Sequence, residues 1–197
     1  NSIIFLTPNH QFPTGVTLSS KRREVFLSIA RKKKATIIED DYQSPFTFIG
    51  VKPKPLISLC ESTEVLYVGS FSKTLAPGFR LAFLIGNRSL INSLVELRWR
   101  HDRHSPQIVE FVISKMILDG TFSEYEEKMY QLYSRRWKTM RNAVLKYFEF
   151  ETPSLGGLSI WVPLNMSWQA IDEALCQATN DNIIADTNKR WYFTPSE

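Results

Sequence analysis

The sequence predicts an α/β protein in two parts, a larger layered unit followed by a smaller one. Three observations predict it. Through Ile85 the order is apolar strand, helix, strand, loop, strand, which is how sheets covered by helices are built. From Leu90 to about Tyr147 the spacing of apolar residues turns helical. Beyond Phe148 the glycine pair Gly156-Gly157 opens a second, shorter strand-and-helix alternation.

The first strand is expected at Ser2 to Leu6, an unbroken apolar run of the kind buried on both faces. Thr7 to Gly15, with two prolines and a glycine, reads as an ordered loop placed where a site would sit. Leu18 to Lys34 reads as a helix capped by Ser19 or Ser20, with Val25, Phe26 and Ile29 on its buried face. Thr36 to Asp40 is the next buried strand. It runs into Glu39-Asp40-Asp41-Tyr42, three carboxylates that are costly at a strand end unless something positive lies near. Pro53 and Pro55 keep the Pro45 to Pro55 stretch out of a helix. Val65 to Val68 and Leu81 to Ile85 complete the strands of this part.

Three helices are expected next: Leu90 to Arg100, Gln107 to Leu118 closed by Gly120, and Phe122 to Tyr147. The third opens on Ser123 and Glu126, spaced as a capping box, and carries Met129, Leu132, Met140 and Val144 as core. The smaller unit reads as a strand at Leu158 to Leu164, a helix from Ser167 to Thr179 with Ser167 as its cap, and short strands at Asn182 to Ala185 and Trp191 to Phe193.

Composition narrows the function classes. Hydrophobic residues at 43% and aromatics at 13% of 197 residues describe a packed globular chain. No apolar run approaches the ~18 residues of a membrane span, and Asn1 to Leu6 lacks the layout of a signal peptide, so the expectation is a cytoplasmic protein with no membrane partner. A net charge of +4, from 24 Lys and Arg against 20 Asp and Glu scattered over several elements, argues against nucleic-acid binding by these residues. The clusters Lys21 to Arg23 and Arg31 to Lys34 read as solvated. Cys60 and Cys176 lie too far apart for a metal motif, and His10, His101 and His104 form none, so no metal site is expected.

The chemistry concentrates in Gly69 to Leu81, read Gly-Ser-Phe-Ser-Lys-Thr-Leu-Ala-Pro-Gly-Phe-Arg-Leu. This loop suits a lysine condensed with a phosphorylated aldehyde. Lys73 supplies the amine, Ser70, Ser72 and Arg80 supply hydroxyl and guanidinium donors to a phosphate, and Gly78 lets the backbone turn.

Four motifs then point to one family. His10-Gln11-Phe12-Pro13-Thr14-Gly15, Glu39-Asp40-Asp41-Tyr42, Ser70-Phe71-Ser72-Lys73 with Pro77-Gly78-Phe79-Arg80, and Gly156-Gly157-Leu158-Ser159-Ile160-Trp161 resemble, in order, those of the fold-type-I, pyridoxal-phosphate-dependent class I/II aminotransferases. More narrowly the chain resembles the aminotransferase-like domain of MocR-type regulators in the GntR group. The resemblance implies Lys73 as the Schiff-base lysine, with Ser70, Ser72 and Arg80 on the phosphate of pyridoxal 5'-phosphate. It implies Asp40 on the pyridinium nitrogen, with Glu39 or Asp41 as alternatives, and Tyr42 on the phenolic oxygen. Phe12 departs from the family's Asn before Pro-Thr-Gly, and Asn9, His10 or Gln11 stand as replacements.

The same resemblance implies a mostly parallel sheet with helices, residues 1–125 belonging to the cofactor-binding large domain and residues 126–197 to the linking helix and an incomplete small domain. It implies a fragment of a longer protein: a phosphate loop and a ring-stacking aromatic would precede Asn1, and a carboxylate-gripping arginine would follow Glu197. Sheet edges and apolar surface should therefore be exposed, and the isolated chain should bind the cofactor weakly or not at all. The function implied is effector sensing, of a small amine or amino acid, by a homodimeric regulator that meets DNA only through a domain outside this chain. The alternative is a catalytic aminotransferase acting on an amino acid and a 2-oxo acid.

Overall fold

A computed structural model describes residues 2–60, 65–148, 150 and 154–185. The chain divides into two compact units, Asn1–Ile160 and Trp161–Glu197. The division after residue 125 that the resemblance implies thus falls inside the first unit.

The first unit is built on four strands, β1 (Ile3–Leu6), β2 (Thr36–Asp40), β3 (Val65–Ser70) and β4 (Ala82–Ile85), lying side by side in that order. β1 pairs parallel with β2 and β2 parallel with β3, whereas β4 returns antiparallel to β3. The sheet is thus mostly parallel, as expected. The connection from β1 to β2 carries α1 (Ser20–Lys33), and that from β2 to β3 carries 3-10 turns at Ser44–Phe46 and Leu56–Ser58.

α1 starts where Ser19 accepts a hydrogen bond from the Arg22 N–H, and it ends at Lys34, whose left-handed backbone closes the last turn. Arg31, Lys32 and Lys33 sit in that last turn, where the helix dipole favours cations. Its buried face is Arg23, Leu27 and Ala30, with Phe26 half-buried; Val25 and Ile29 point outward, against expectation. The stripe was displaced because Arg23 belongs to it: treated as a solvated charge, it hid the true spacing.

Leu27 and Ala30 pack on Ile37, Val65 and Leu56, flanked by Ile4 and Leu6, to form the core on one face of the sheet. The other face is covered only in part: Leu66 is buried and Ile38 and Val68 are half-buried, but Ile3 is 69% and Phe5 65% exposed. At the opposite edge of the sheet Phe83, Leu84 and Ile85 of β4 are also exposed. The two-faced burial expected of β1 is therefore corrected, while the expected exposure of edges and apolar surface is present.

α2 (Arg88–His101), α3 (Gln107–Leu118) and α4 (Thr121–Tyr147) follow. Ser123 and Glu126 do not form the expected capping box; Gly120, in left-handed conformation, is the N-cap of α4, and Asp119 accepts from the Thr121 N–H. The face α4 buries carries Trp137 and Val144, with Met140 turned outward. Tyr130, Tyr133 and Trp137 meet Phe46 and Phe48, the ring centroids 5.0 to 5.6 Å apart, and the Tyr130 hydroxyl donates to the Thr47 carbonyl. On α2, Trp99 meets the ring of His104 edge-on, which places that histidine at the surface.

The second unit contains α5 (Trp168–Asn180), capped by Ser167 as expected. The strands expected at Leu158 to Leu164 and Asn182 to Ala185 do not form. Among the described residues the first stretch pairs with no strand, and the pairing nearest to it is a single bridge between Thr47 and Gly156. The strand expected at Trp191 to Phe193 lies outside the described residues. Among the described residues no helix is long and apolar enough to cross a membrane.

Candidate functional site

The site forms where β2 and β3 end. Their parallel register sets Asp40 beside Val68, and the Asp41 N–H donates to the Val68 carbonyl at 3.0 Å. Neighbouring strands lie about 4.8 Å apart, so the carboxylate run that ends β2 and the Ser70–Lys73 segment leaving β3 emerge side by side at the carboxyl edge of the sheet. Open sheets of this kind bind ligands there.

The three adjacent carboxylates have three different fates. Glu39 is buried and its oxygens accept the N–H groups of Leu56 and Ile57 at 2.7 and 3.1 Å, so it closes the start of a 3-10 turn. Burial raises its pKa, and those two bonds oppose the rise. Asp41 is buried too, taking the Asn9 amide at 2.9 Å and the Tyr67 hydroxyl at 3.0 Å. Asp40 is half-buried; burial and then the charge of Asp41 push its pKa up, and no cation among the described residues offsets them. Of the three candidates for a ring nitrogen, Asp40 alone is left without a structural duty.

Tyr42 follows on the same strand end. Burial, then the charge of Asp40, raise its pKa, against a smaller opposing effect of Gln43. Its hydroxyl is therefore held as a donor.

The loop after β3 is pinched at its neck, where Ser70 pairs with Ala82 and the Phe71 N–H donates to the Leu81 carbonyl at 3.1 Å. This ladder brings Ser70, Ser72, Lys73 and Arg80 into one closed loop. Within it the Ser72 N–H donates to the Ser70 hydroxyl at 3.2 Å, and the Leu75 N–H to the Phe71 carbonyl at 2.9 Å. Ser70, Ser72 and Lys73 are half-buried; Arg80 is exposed, in left-handed backbone at φ 48°. Phe71 anchors the loop between Phe83 and Phe122, and Phe83 lies over Gly69, where a Cβ would meet its ring at 2.2 Å.

A buried polar cluster behind the carboxylates was missed by sequence reasoning. Arg23, read as solvated, is 1% exposed. Its guanidinium donates to the carbonyls of Leu18, Lys54 and Pro8, each at 3.0 Å, and to the Asn9 side chain at 2.7 Å. The only signal for it was the three-residue step from Arg23 to Phe26 and the four-residue step to Leu27, which align it with the buried face. Asn9 and His10, proposed to replace the family's Asn, are fully buried. Asn9 serves Asp41 and Arg23, and the His10 ring bonds the Thr47 hydroxyl at 2.9 Å with its other nitrogen unpartnered. Gln11 instead folds back on its own loop, donating to the Phe12 carbonyl and accepting from Thr14.

The residues fit pyridoxal phosphate. A carboxyl that burial makes reluctant to ionise gains most from a cationic N–H partner, and a closed loop carrying the Lys73 amine, the Ser70 and Ser72 hydroxyls and the Arg80 guanidinium matches an aldehyde and its phosphate.

Comparison with known proteins points the same way. The sequence pattern described as aminotransferase class I and II matches residues 1–189. An uncharacterized HTH-type transcriptional regulator of Bacillus subtilis, YdfD, is 28% identical over 83% of this chain and 34% of its own length. The 2-aminoadipate transaminase of Thermus thermophilus is 28% identical over 82% of this chain and 42% of its own length. Among solved structures, a kynurenine aminotransferase of Pyrococcus horikoshii superposes with a TM-score of 0.87 at 24% identity, covering 97% of this chain and 48% of the other. The chain thus spans between about a third and a half of the length of these proteins.

Proposed function

Since this chain belongs to the aminotransferase class I and II family, we propose that it forms the pyridoxal-phosphate-holding, effector-sensing domain of a MocR-type regulator of the GntR group. The observation that carries the reading is the meeting, at one edge of the sheet, of an Asp40 carboxyl that has no counter-cation among the described residues and a closed loop bearing Lys73.

When bound, pyridoxal phosphate supplies an aldehyde for amines and a ring that withdraws electrons. Lys73 offers the amine that holds it. Ser70, Ser72 and Arg80 would take its phosphate through hydroxyl and guanidinium donors. Asp40 accepts from the ring nitrogen and keeps its proton in place. Tyr42, held protonated, donates to the phenolic oxygen. The effector is a small amine or amino acid. The full-length protein works in the cytoplasm as a homodimer and reaches DNA through a domain outside these residues.

Phe12, where the family's enzymes carry an amide, and the regulator YdfD among the relatives support sensing over turnover. A second reading, catalytic transamination, is supported by Lys73 itself, an amine suited to carry a proton between carbons, and by the transaminase among the relatives. The test is uptake of pyridoxal phosphate by the full-length protein. The reading requires a visible absorbance band that survives dialysis and disappears in Lys73→Ala. Amine-dependent changes in DNA affinity without steady keto acid production mark the sensor; steady production from an amino donor marks the enzyme. Absence of any band overturns both.

A further inference from the structure

We infer that Asp41, clamped by Asn9 and Tyr67 with Arg23 behind them, is a positioning residue that fixes the directions of Asp40 and Tyr42. This rests on the cofactor roles proposed for those two neighbours.

Asp41 shares a peptide plane with each of them, so a fixed Asp41 leaves their Cα positions little freedom. It is fixed on every side. Its N–H is tied to Val68 of β3, one carboxylate oxygen takes the Asn9 Nδ2 at 2.9 Å, and the other takes the Tyr67 hydroxyl at 3.0 Å. The Asn9 amide cannot flip, because its oxygen accepts from Arg23 at 2.7 Å and a flip would turn donor against donor. Arg23 in turn grips carbonyls on both sides of the Asn9 loop, at Pro8 and Leu18, and a third at Lys54. One guanidinium and one amide thus connect α1, the loop after β1 and the loop before β3 to a single carboxylate, and Tyr67 and Val68 tie β3 to the same residue.

A carboxylate kept only for stability would not need to stand between two cofactor contacts. The charges support the link: Asp41 acts on Asp40, and Asp40 acts on Tyr42. Other titratable groups facing Asp41 are Arg23, Glu39, His10 and Tyr67.

The experiment compares Tyr67→Phe with Tyr130→Phe in the full-length protein. Each variant keeps its ring and removes a hydroxyl that bonds Asp41 in the first and the Thr47 carbonyl in the second. Their stability losses should be similar. Tyr67→Phe should also weaken retention of pyridoxal phosphate about three- to tenfold, less than the whole worth of a bond to a charged group because the effect reaches the cofactor only through Asp41, and move the pH midpoint of its visible band. Tyr130→Phe should do neither. If the two variants retain the cofactor alike and titrate alike, the positioning role is overturned while the cofactor reading stands. If the unsubstituted protein shows no band, both fall.

Discussion

The two halves of the candidate site are built in opposite ways. Behind the carboxylates, Arg23, Asn9, Asp41, Tyr67 and Glu39 are mostly buried, and hydrogen bonds hold each of them. In the loop after β3, Ser72 and Lys73 are half-exposed and Arg80 is exposed, and the backbone of the loop is held mainly by its neck and by the Phe71 ring. The difference teaches a division of labour: one side fixes directions at the cost of burying polar groups, the other keeps donors unspent for a ligand. Substitutions should separate accordingly, with stability lost on the buried side and binding lost on the loop side.

The largest effect is expected from Arg23→Leu. It removes a buried guanidinium and leaves the Asn9 oxygen and three carbonyls to find other donors, which should cost about 3 to 5 kcal/mol. Denaturant unfolding measures it. A loss under about 1 kcal/mol would place Arg23 with ordinary surface charges.

Next comes the pH dependence of His10. Burial lowers its pKa from 6.5 to about 4, so it is neutral in the folded state. Stability from this group is fully present above pH 6.5 and is lost as the pH falls from 6.5 through about 4, to a total of about 3 kcal/mol. Glu39 and Asp40, whose pKa values are raised, oppose this slope, because their protonation favours the fold. His10→Asn isolates the effect, since Asn accepts the left-handed backbone at φ 49°. The advantage of the unsubstituted protein over this variant should shrink on acidification; a flat difference would mean that His10 titrates in the folded protein as it does in the unfolded one.

The smallest change in stability is expected in the loop. Ser72→Ala and Arg80→Gln should each alter it by less than about 0.5 kcal/mol. They should nonetheless weaken pyridoxal phosphate binding by the full-length protein about tenfold or more, measured by equilibrium titration. A stability loss matching that of Arg23→Leu would erase the contrast between the two halves.

Legibility in the sequence followed the same division. The loop's residues are contiguous, so Ser70, Ser72, Lys73 and Arg80 stand out in a row, and the ladder of β3 with β4 closes them together. α3 spans Gln107–Leu118 as periodicity predicts, and Ser19 and Ser167 cap their helices, because these signals are local. The buried cluster was not legible. Its members come from positions 9, 23, 41 and 67, and nothing near Arg23 in sequence shows that three distant carbonyls await it. The strand expected at Leu158 to Leu164 failed for a similar reason: a glycine pair followed by an apolar run proposes a strand, but only a partner makes one. Asp40 was picked out with Glu39 and Asp41 as alternatives. What separates the three is which backbone and side-chain donors arrive from elsewhere, and that is tertiary information.

The central claim is that the amine of Lys73 is the point of attachment for pyridoxal phosphate. Borohydride reduction of the full-length protein after incubation with the cofactor, followed by peptide mass spectrometry, tests it most directly. A phosphopyridoxyl group on the peptide containing Lys73, at about one per chain and absent from Lys73→Ala, is the result expected. Labelling spread over the surface lysines, with Lys73 unmodified, would contradict the account.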